Sequence, residues 1–222
     1  ANTIGIVYDY SVLAGTQGFF HHQKLDRITE QAEKFKLPIV IFTEGGGGRP
    51  GDVDVMTQIA GLNIPTFSNW ARLSGNCLKI AIANGYCFAG NAALFGCSDF
   101  RIATKNSWIG MAGPAMIEGG GLGVFDPKEI GPSEIQEKNG VIDYLAIDEE
   151  EATSVAKKLL SYFQGTISEY SFADQSTLKD IIPDDRRWAY PIREIIEILA
   201  DTNTFLELRK NYGRSIVTGF IR

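Results

Sequence analysis

The chain has 222 residues, a length that suits one large domain or two small ones and lets folding bury roughly 70% of the unfolded surface. Hydrophobic residues make up 44% and charged residues 22%, as in an ordinary globular protein. The net charge of −6 argues against a nucleic-acid or anionic-membrane partner, although local basic groups could still hold a phosphate.

The sequence carries few signals of targeting or of cysteine chemistry. No run is long and apolar enough to span a bilayer, and the first residues do not resemble a signal peptide. Three cysteines, Cys77, Cys87 and Cys97, lack Cys-x-x-Cys spacing, and the chain has two histidines. We therefore expect reduced thiols, no metal site, and a location in the cytoplasm or an organelle matrix.

Apolar β-rich runs alternate with helical patterns along the chain, which predicts an α/β fold. Strands are predicted at residues 3–8, 38–43, 78–83, 100–103, 107–109, 141–147, 205–208 and 215–221. Helices are predicted at 19–36, 54–61, 67–73, 148–163, 178–182 and 192–200. We expect one domain over residues 1–222, in which 165–222 form a C-terminal extension.

Two features of the sequence leave alternatives open. His21 and His22 begin the first predicted helix, and one of them lies a turn before Leu25 on its apolar face. A partly buried, hydrogen-bonded histidine is therefore favoured over a catalytic one. The glycine-rich stretch 110–123 predicts either a mobile flap over a site or simply a long loop.

A run of four glycines, Glu44-Gly-Gly-Gly-Gly-Arg49, directly follows the predicted strand 38–43. Because glycine lacks a Cβ, its main-chain N–H groups can approach a ligand closely. Such a loop can present N–H donors to an anion or to an oxygen that becomes negative during a reaction. The alternative is a flexible surface loop.

A second glycine turn lies at residues 84–94 and leads into a helix made almost entirely of small and apolar residues. Such a helix is expected to be buried. The first N–H groups of a buried helix need a partner, and an anion suits them. The turn therefore predicts a second donor site beside the glycine loop.

Together these features resemble the crotonase (ClpP-like) superfamily, and more closely the N-terminal half of the carboxyltransferase of biotin-dependent acyl-CoA carboxylases. Glu44-Gly-Gly-Gly-Gly-Arg49 matches the family's Asp-Ser-Gly-Gly-Ala-Arg, and Gly85-Tyr-Cys-Phe-Ala-Gly-Asn91 matches its Gly-Pro-Cys-Ala-Gly-Gly-Ala. Asp99-Phe100 and Gly140-Val-Ile-Asp143 follow in the family's order. The resemblance covers nearly the whole chain and implies a spiral of ββα units with flanking helices.

The resemblance also implies a reaction. Carboxybiotin on a carrier domain releases CO2, the acyl-CoA loses a proton from its alpha carbon, and the enolate captures the CO2. Main-chain N–H pairs stabilise the negative thioester oxygen. The implied partners are acyl-CoA, the biotin carboxyl carrier and biotin carboxylase components, a C-terminal carboxyltransferase half, and further copies in a homo-oligomer.

Residue by residue, the resemblance makes Gly47 or Gly48, together with Gly90, the catalytic main-chain donors. Candidates for holding coenzyme A are Gly46, Gly85, Ala89, Lys24 and Arg27, the last two against the alternative of a solvated helix face. Arg49 is expected to pair with Glu44 or with a nearby loop. A bulky residue at Gly90 is expected to block entry of the thioester while the fold survives.

Other branches of the superfamily fit less well. The two hydratase glutamates would fall on Ala93 and Gly113, and residues 85–94 contain no serine for a peptidase. The chain ends about where the family's second half begins, so we expect half an active site. The alternatives are a biotin-dependent decarboxylase subunit and a non-catalytic module that binds coenzyme A or forms oligomers.

Overall fold

The structure is a computed structural model that describes residues 2–49, 51, 64–185 and 187–222. The helix predicted at 54–61 lies outside these ranges. The strands are β1 (Ile4–Val7), β2 (Ile39–Phe42), β3 (Lys79–Ala83), β4 (Tyr86–Phe88), β5 (Phe100–Thr104), β6 (Trp108–Gly110), β7 (Tyr144–Ala146), β8 (Leu206–Leu208) and β9 (Thr218–Phe220). The helices are α1 (Phe19–Phe35), α2 (Thr66–Arg72), α3 (Gly90–Gly96), α4 (Pro114–Gly119), α5 (Ser133–Lys138), α6 (Glu149–Tyr162), α7 (Leu178–Ile181) and α8 (Ile192–Leu199).

A five-stranded parallel sheet in the order β1-β2-β3-β5-β7 forms the centre of the fold. Its strands are short and apolar, as expected for parallel strands that are covered on both faces. The predicted α/β class is confirmed, and β3-β4-α3 and β5-β6-α4 repeat the expected ββα order.

Alternate residues of β3 divide the core between two faces of the sheet. Ala81 and Ala83 pack with residues of α1, α2 and α3 on one face. Ile80 and Ile82 pack with α6 on the other. Fully buried Trp70 and Phe95 fill the first layer, so α3 is buried as its apolar composition predicts.

A second, smaller layer lies beside the carboxyl ends of the main strands. β4 and β6 pair in parallel, and single bridges extend this layer from Cys87 to Gly45 and from Gly48 to Gln17. The glycine loop therefore runs between residue 17 and β4. Parallel strands of an α/β sheet commonly present ligand sites at this end.

Several predicted boundaries are wrong, each where the signal is short. β4 lies inside the stretch predicted as a turn, because three residues carry no readable period. The stretch 110–123 contains α4, which begins at Pro114. α5 was not predicted, and the strand predicted at 141–147 shortens to β7.

The C-terminal residues are tied to the sheet through one buried carboxylate. Asp143 accepts two hydrogen bonds from the Arg101 side chain, each 2.9 Å long, and a third of 2.6 Å from Arg209 Nε. β8 and β9 then pair antiparallel. Within the described ranges, every helix is too short or too polar to cross a lipid bilayer.

Candidate functional site

Main-chain hydrogen bonds hold the glycine loop on both sides. Gly45 N donates to Tyr86 O at 2.8 Å, and Gly46 N donates to Ala14 O at 3.1 Å. Gly47 N donates to the Asn91 Oδ1 at 3.0 Å. These hydrogen bonds argue against the alternative of a flexible surface loop.

Gly45 and Gly47 leave no room for a side chain, because neighbouring atoms lie too close to their main chain. A Cβ on Gly45 would lie 2.3 Å from Asn91 Nδ2 and 2.4 Å from Gly15 O. Gly47 has a φ of +84°, and a Cβ there would lie 2.5 Å from the Ala89 Cβ and 3.2 Å from Gly90 N. The loop thus lies directly against the first residue of α3, and the two predicted donor segments are brought together.

The orientation of the Gly48 N–H follows from its neighbour in the second layer. Gln17 N donates to Gly47 O at 2.7 Å, and Arg49 N donates to Gln17 O at 2.9 Å. In a trans peptide the C=O and the following N–H point in opposite directions, so the Gly48 N–H points away from Gln17. It has no acceptor within the described part of the chain, and Gly48 is exposed.

α3 begins with the second donor. Ala89 N donates to Gly110 O at 2.9 Å, whereas the Gly90 N–H finds no acceptor among residues 2–49, 51, 64–185 and 187–222. As the first N–H of a helix, it lacks a partner within α3. Gly48 N–H and Gly90 N–H are therefore one donor from each segment that lacks an acceptor among the described residues, whereas the Gly47 N–H is occupied by Asn91.

Gly90 itself is tightly surrounded. A Cβ at this position would lie 2.3 Å from Gln17 Oε1 and 3.2 Å from Phe67 Cζ. Gln17 is buried and its Nε2 donates to the Tyr8 hydroxyl at 3.2 Å. Any side chain at Gly90 would therefore displace the end of the Gln17 side chain, and the expectation that a bulky residue blocks thioester entry while the fold survives stays a prediction.

The charged residues at the two ends of the loop have separate partners. Arg49 Nε donates to Thr16 Oγ1 at 3.2 Å and Arg49 Nη2 to Thr16 O at 3.1 Å. The expected link of Arg49 to a nearby loop is therefore confirmed through Thr16. The alternative Glu44–Arg49 pair is wrong, because the Glu44 carboxylate instead accepts from Asn84 N. Burial raises the pKa of Glu44, and the nearby Glu149 adds to the rise. Gly85 lies beside Glu44, since a Cβ placed on Gly85 would be 3.5 Å from the Glu44 Cγ.

A groove of about 820 Å³ runs between β1 and α1 and ends at the glycine loop. Lys24, Arg27 and Arg49 line it together with Thr16 and His21. Burial, followed by the neighbouring charges of His22, Arg49 and Lys24, lowers the pKa of His21 to about 4. Asp9 is the one acidic side chain among the described lining residues, against Lys24, Arg27 and Arg49, so the groove carries a net positive charge at neutral pH although the whole chain is acidic.

The remaining candidates have structural explanations. His22 is 7% exposed and its Nδ1 lies 3.0 Å from Thr66 Oγ1, so the expectation of a buried, hydrogen-bonded histidine is confirmed. Cys77, Cys87 and Cys97 are free thiols. Among the described residues no group of three His, Cys, Asp or Glu side chains is placed to hold a metal ion.

Gln17, Phe67 and Asn91 contribute to the site but were not predicted from the sequence. Asn91 carried a signal, because the matching position of the family motif is alanine. Gln17 and Phe67 carried none, since each reaches Gly90 through tertiary packing alone.

Comparison with known proteins yields a match over almost the entire chain. The family model described as "Carboxyl transferase domain" matches residues 6–222. The 12S subunit of methylmalonyl-CoA carboxyltransferase from Propionibacterium freudenreichii subsp. shermanii is 30% identical over 96% of this chain and 42% of its own length. A probable biotin-dependent acyl-CoA carboxylase beta2 subunit of Mycobacterium tuberculosis is 28% identical over 98% of this chain and 42% of its own.

Solved structures agree with the sequence match. A single-chain, multi-domain long-chain acyl-CoA carboxylase superposes with a TM-score of 0.91 at 49% identity, covering 97% of this chain and 21% of that one. The transcarboxylase 12S hexamer with hydrolysed methylmalonyl-CoA bound gives 0.81 at 30% identity, over 96% of this chain and 43% of that one. The chain thus spans about two-fifths of the curated relatives it matches.

Proposed function

Because the chain belongs to the carboxyl transferase domain family, we propose that it is the acyl-CoA-binding half of a biotin-dependent acyl-CoA carboxyltransferase. The observation that carries the proposal is the pair of unoccupied main-chain donors, Gly48 N–H and Gly90 N–H, on two segments in direct contact. We propose that these two N–H groups, carried by touching segments, point to one position, where they would suit an oxygen that gains negative charge.

The thioester oxygen of an acyl-CoA is that oxygen. Removal of a proton from the carbon next to the thioester moves charge onto the carbonyl oxygen, and donors held in place beforehand stabilise this enolate. Main-chain donors fixed by the second layer need no reorganisation during the reaction. Phe67 and Gln17 would pack beside the thioester and limit access of water to it.

Coenzyme A would extend from these donors into the basic groove. Lys24, Arg27 and Arg49 line it, and an ammonium or guanidinium group is a suitable partner for phosphate. Thr16 connects the groove to the glycine loop, since its oxygens accept from Arg49. The proposed path therefore places the phosphates in the groove and the thioester at Gly48 and Gly90.

Biotin and the partner components belong to the same proposal. When bound, carboxybiotin supplies the CO2 and the nitrogen that takes the alpha proton. Within the described ranges we assign one donor pair, to the thioester, so donors for the biotin ureido oxygen are proposed to lie on a second carboxyltransferase half. Met111, Leu122 and Val124 are 66%, 75% and 78% exposed, which supports cover by another chain segment or subunit.

A reconstitution experiment tests the proposal. The 222-residue chain is mixed with acyl-CoA, a carboxybiotin carrier carrying a labelled carboxyl group, and a separately produced C-terminal carboxyltransferase half. We expect the label to appear in the acyl-CoA only when both halves are present, because each supplies one oxyanion site.

Binding is measured on the same samples by calorimetry. Acyl-CoA binding without transfer in the complete mixture would contradict the enzymatic proposal and favour a non-catalytic module. In a parallel mixture that starts from labelled carboxylated acyl-CoA and the biotin carrier, loss of the label without transfer in the forward mixture would favour the decarboxylase alternative. Absence of acyl-CoA binding would remove the basis of the proposal altogether.

A further inference from the structure

One buried side chain joins the two donor segments. Asn91 is the second residue of α3, directly after Gly90, and is fully buried. Its Oδ1 accepts the Gly47 N–H at 3.0 Å, and its Nδ2 lies 3.5 Å from Glu44 O. Both ends of the amide therefore face the glycine loop, whereas the main chain of Asn91 belongs to the helix that begins with the other donor.

Successive peptide groups of the loop are fixed by different partners. The Gly46–Gly47 peptide is held through its N–H by Asn91. The Gly47–Gly48 peptide is held through its C=O by Gln17 N at 2.7 Å. Together these bonds hold Gly47 at a φ of +84° and direct the Gly47 N–H to Asn91 and the Gly48 N–H away from Gln17.

Without the Asn91 amide, the N–H of the Gly46–Gly47 peptide group would lose its hydrogen-bond acceptor. Glycine visits both signs of φ with little cost, so a peptide between two glycines can rotate. A buried N–H without an acceptor costs about 1–3 kcal/mol, which favours such a rotation. Rotation would move the Gly47–Gly48 peptide that carries the proposed donor.

We propose that Asn91 is a positioning residue for the thioester-oxygen site, an inference that rests on the proposed function. Its amide holds the Gly47 N–H inside the protein, so that the donor pair consists of the Gly48 and Gly90 N–H groups.

Nuclear magnetic resonance of a labelled ligand tests the proposal. Propionyl-CoA with carbon-13 at the thioester carbonyl is bound to the full chain at saturation, and the carbonyl chemical shift is recorded. Hydrogen bonds to the oxygen draw electrons from the carbonyl carbon, so wild type is expected to move the resonance downfield. We expect Asn91→Ala to lose most of that displacement.

Turnover in the reconstituted mixture gives a second readout. A donor misplaced by about 1 Å can reduce the rate about 100-fold, so kcat for Asn91→Ala is expected to fall by about 10–100-fold while KM changes less than about threefold. Ser98→Ala is the matched control, because Ser98 is also buried behind α3 and loses one hydrogen bond, of 2.8 Å to Leu94 O. We expect this control to keep the wild-type carbonyl shift.

Asn91→Asp keeps the test valid even if Asn91→Ala does not fold. The introduced carboxyl is isosteric with the amide and, when protonated, can accept from Gly47 N–H and donate to Glu44 O. When ionised, it still accepts from Gly47 N–H, which is the hydrogen bond that the proposal uses. We therefore expect folded Asn91→Asp to keep most of the wild-type carbonyl displacement.

The possible outcomes separate the two proposals. An undisplaced carbonyl resonance in wild type with propionyl-CoA bound would overturn both the oxyanion site and the role of Asn91. A displaced resonance that Asn91→Ala retains in full, or that folded Asn91→Asp loses, would overturn the role of Asn91 alone.

Discussion

Ala89 occupies a main-chain conformation that alanine rarely adopts, with φ 52° and ψ −118°. It precedes α3 and places Gly90 N against the glycine loop, with its own N–H fixed on Gly110 O. Unfavourable main-chain conformations of this kind persist where the surroundings impose them, and they cluster at functional sites. The matching residue of the family motif is glycine, which fits this conformation without strain.

We expect Ala89→Gly to raise the free energy of unfolding by about 1 kcal/mol, because relief of strain exceeds the loss of one methyl group packed near Gly47. Chemical denaturation measures this change, and the thermal midpoint should rise by about 2–4 °C. Ala93→Gly, in the regular part of α3, is the control and should lower stability by about 0.5–1 kcal/mol. Equal losses in both variants would contradict the strain argument.

At the level of elements, α1 presents its basic side chains to the groove beside β1. Lys24 and Arg27 line the groove, whereas Lys34, in the last turn of the same helix, is not part of its lining. The Arg27–Glu30 contact of 3.5 Å is solvent-exposed and contributes little stability. Both groove residues are therefore available for a ligand at little cost to the fold.

Charge reversal on this helix tests the proposed phosphate path. We expect Lys24→Glu and Arg27→Glu each to raise the Kd for coenzyme A by about tenfold at low salt, with a smaller effect at high salt. Acyl-pantetheine lacks the adenosine phosphates, so its binding should not change. Lys34→Glu is the control. An equal rise in Kd for acyl-pantetheine, or for coenzyme A with the Lys34 variant, would show that the groove does not bind the phosphates.

How much the sequence predicts depends on the kind of element. Long apolar runs and periodic helices carry their own signal, so β1, β2, β3 and β5, with α1 and α6, lie close to their predicted bounds. β4 is three residues long and exists because Gly45 and β6 flank it. The candidate functional site likewise depends partly on tertiary packing. Glycine chemistry predicts a donor loop, but only tertiary packing decides that Gly47 faces Asn91 and that Gly48 remains available.

At the scale of the whole molecule, the dependence of stability on pH reflects where titrating groups are buried. His21 has a folded-state pKa of about 4, below its ordinary 6.5, because it is largely buried and because Arg49 and Lys24 lie nearby. Its Nδ1 has no hydrogen-bond partner within the described part of the chain. A proton on Nδ1 therefore gains no hydrogen-bond acceptor from the described residues.

The sign of the effect follows from this difference. Above pH 6.5 the ring is neutral in both folded and unfolded states and contributes nothing to the pH dependence. As pH falls from 6.5 to about 4, His21 binds a proton in the unfolded state but stays neutral in the folded state, so the free energy of unfolding decreases. Below about pH 4 both states are protonated and the loss is complete.

We expect His21→Phe to remove this loss while keeping the ring contact with Tyr8, whose centroid lies 5.0 Å away. Denaturant unfolding of both proteins between pH 7.5 and 4 gives the difference curve, which cancels the carboxylates that titrate in the same range. Partial exposure of the ring limits the expected gain of the variant to about 1–2 kcal/mol at pH 4 relative to pH 7.5. A difference curve that stays level over this interval would mean that His21 gains its proton as readily in the folded chain as in the unfolded one.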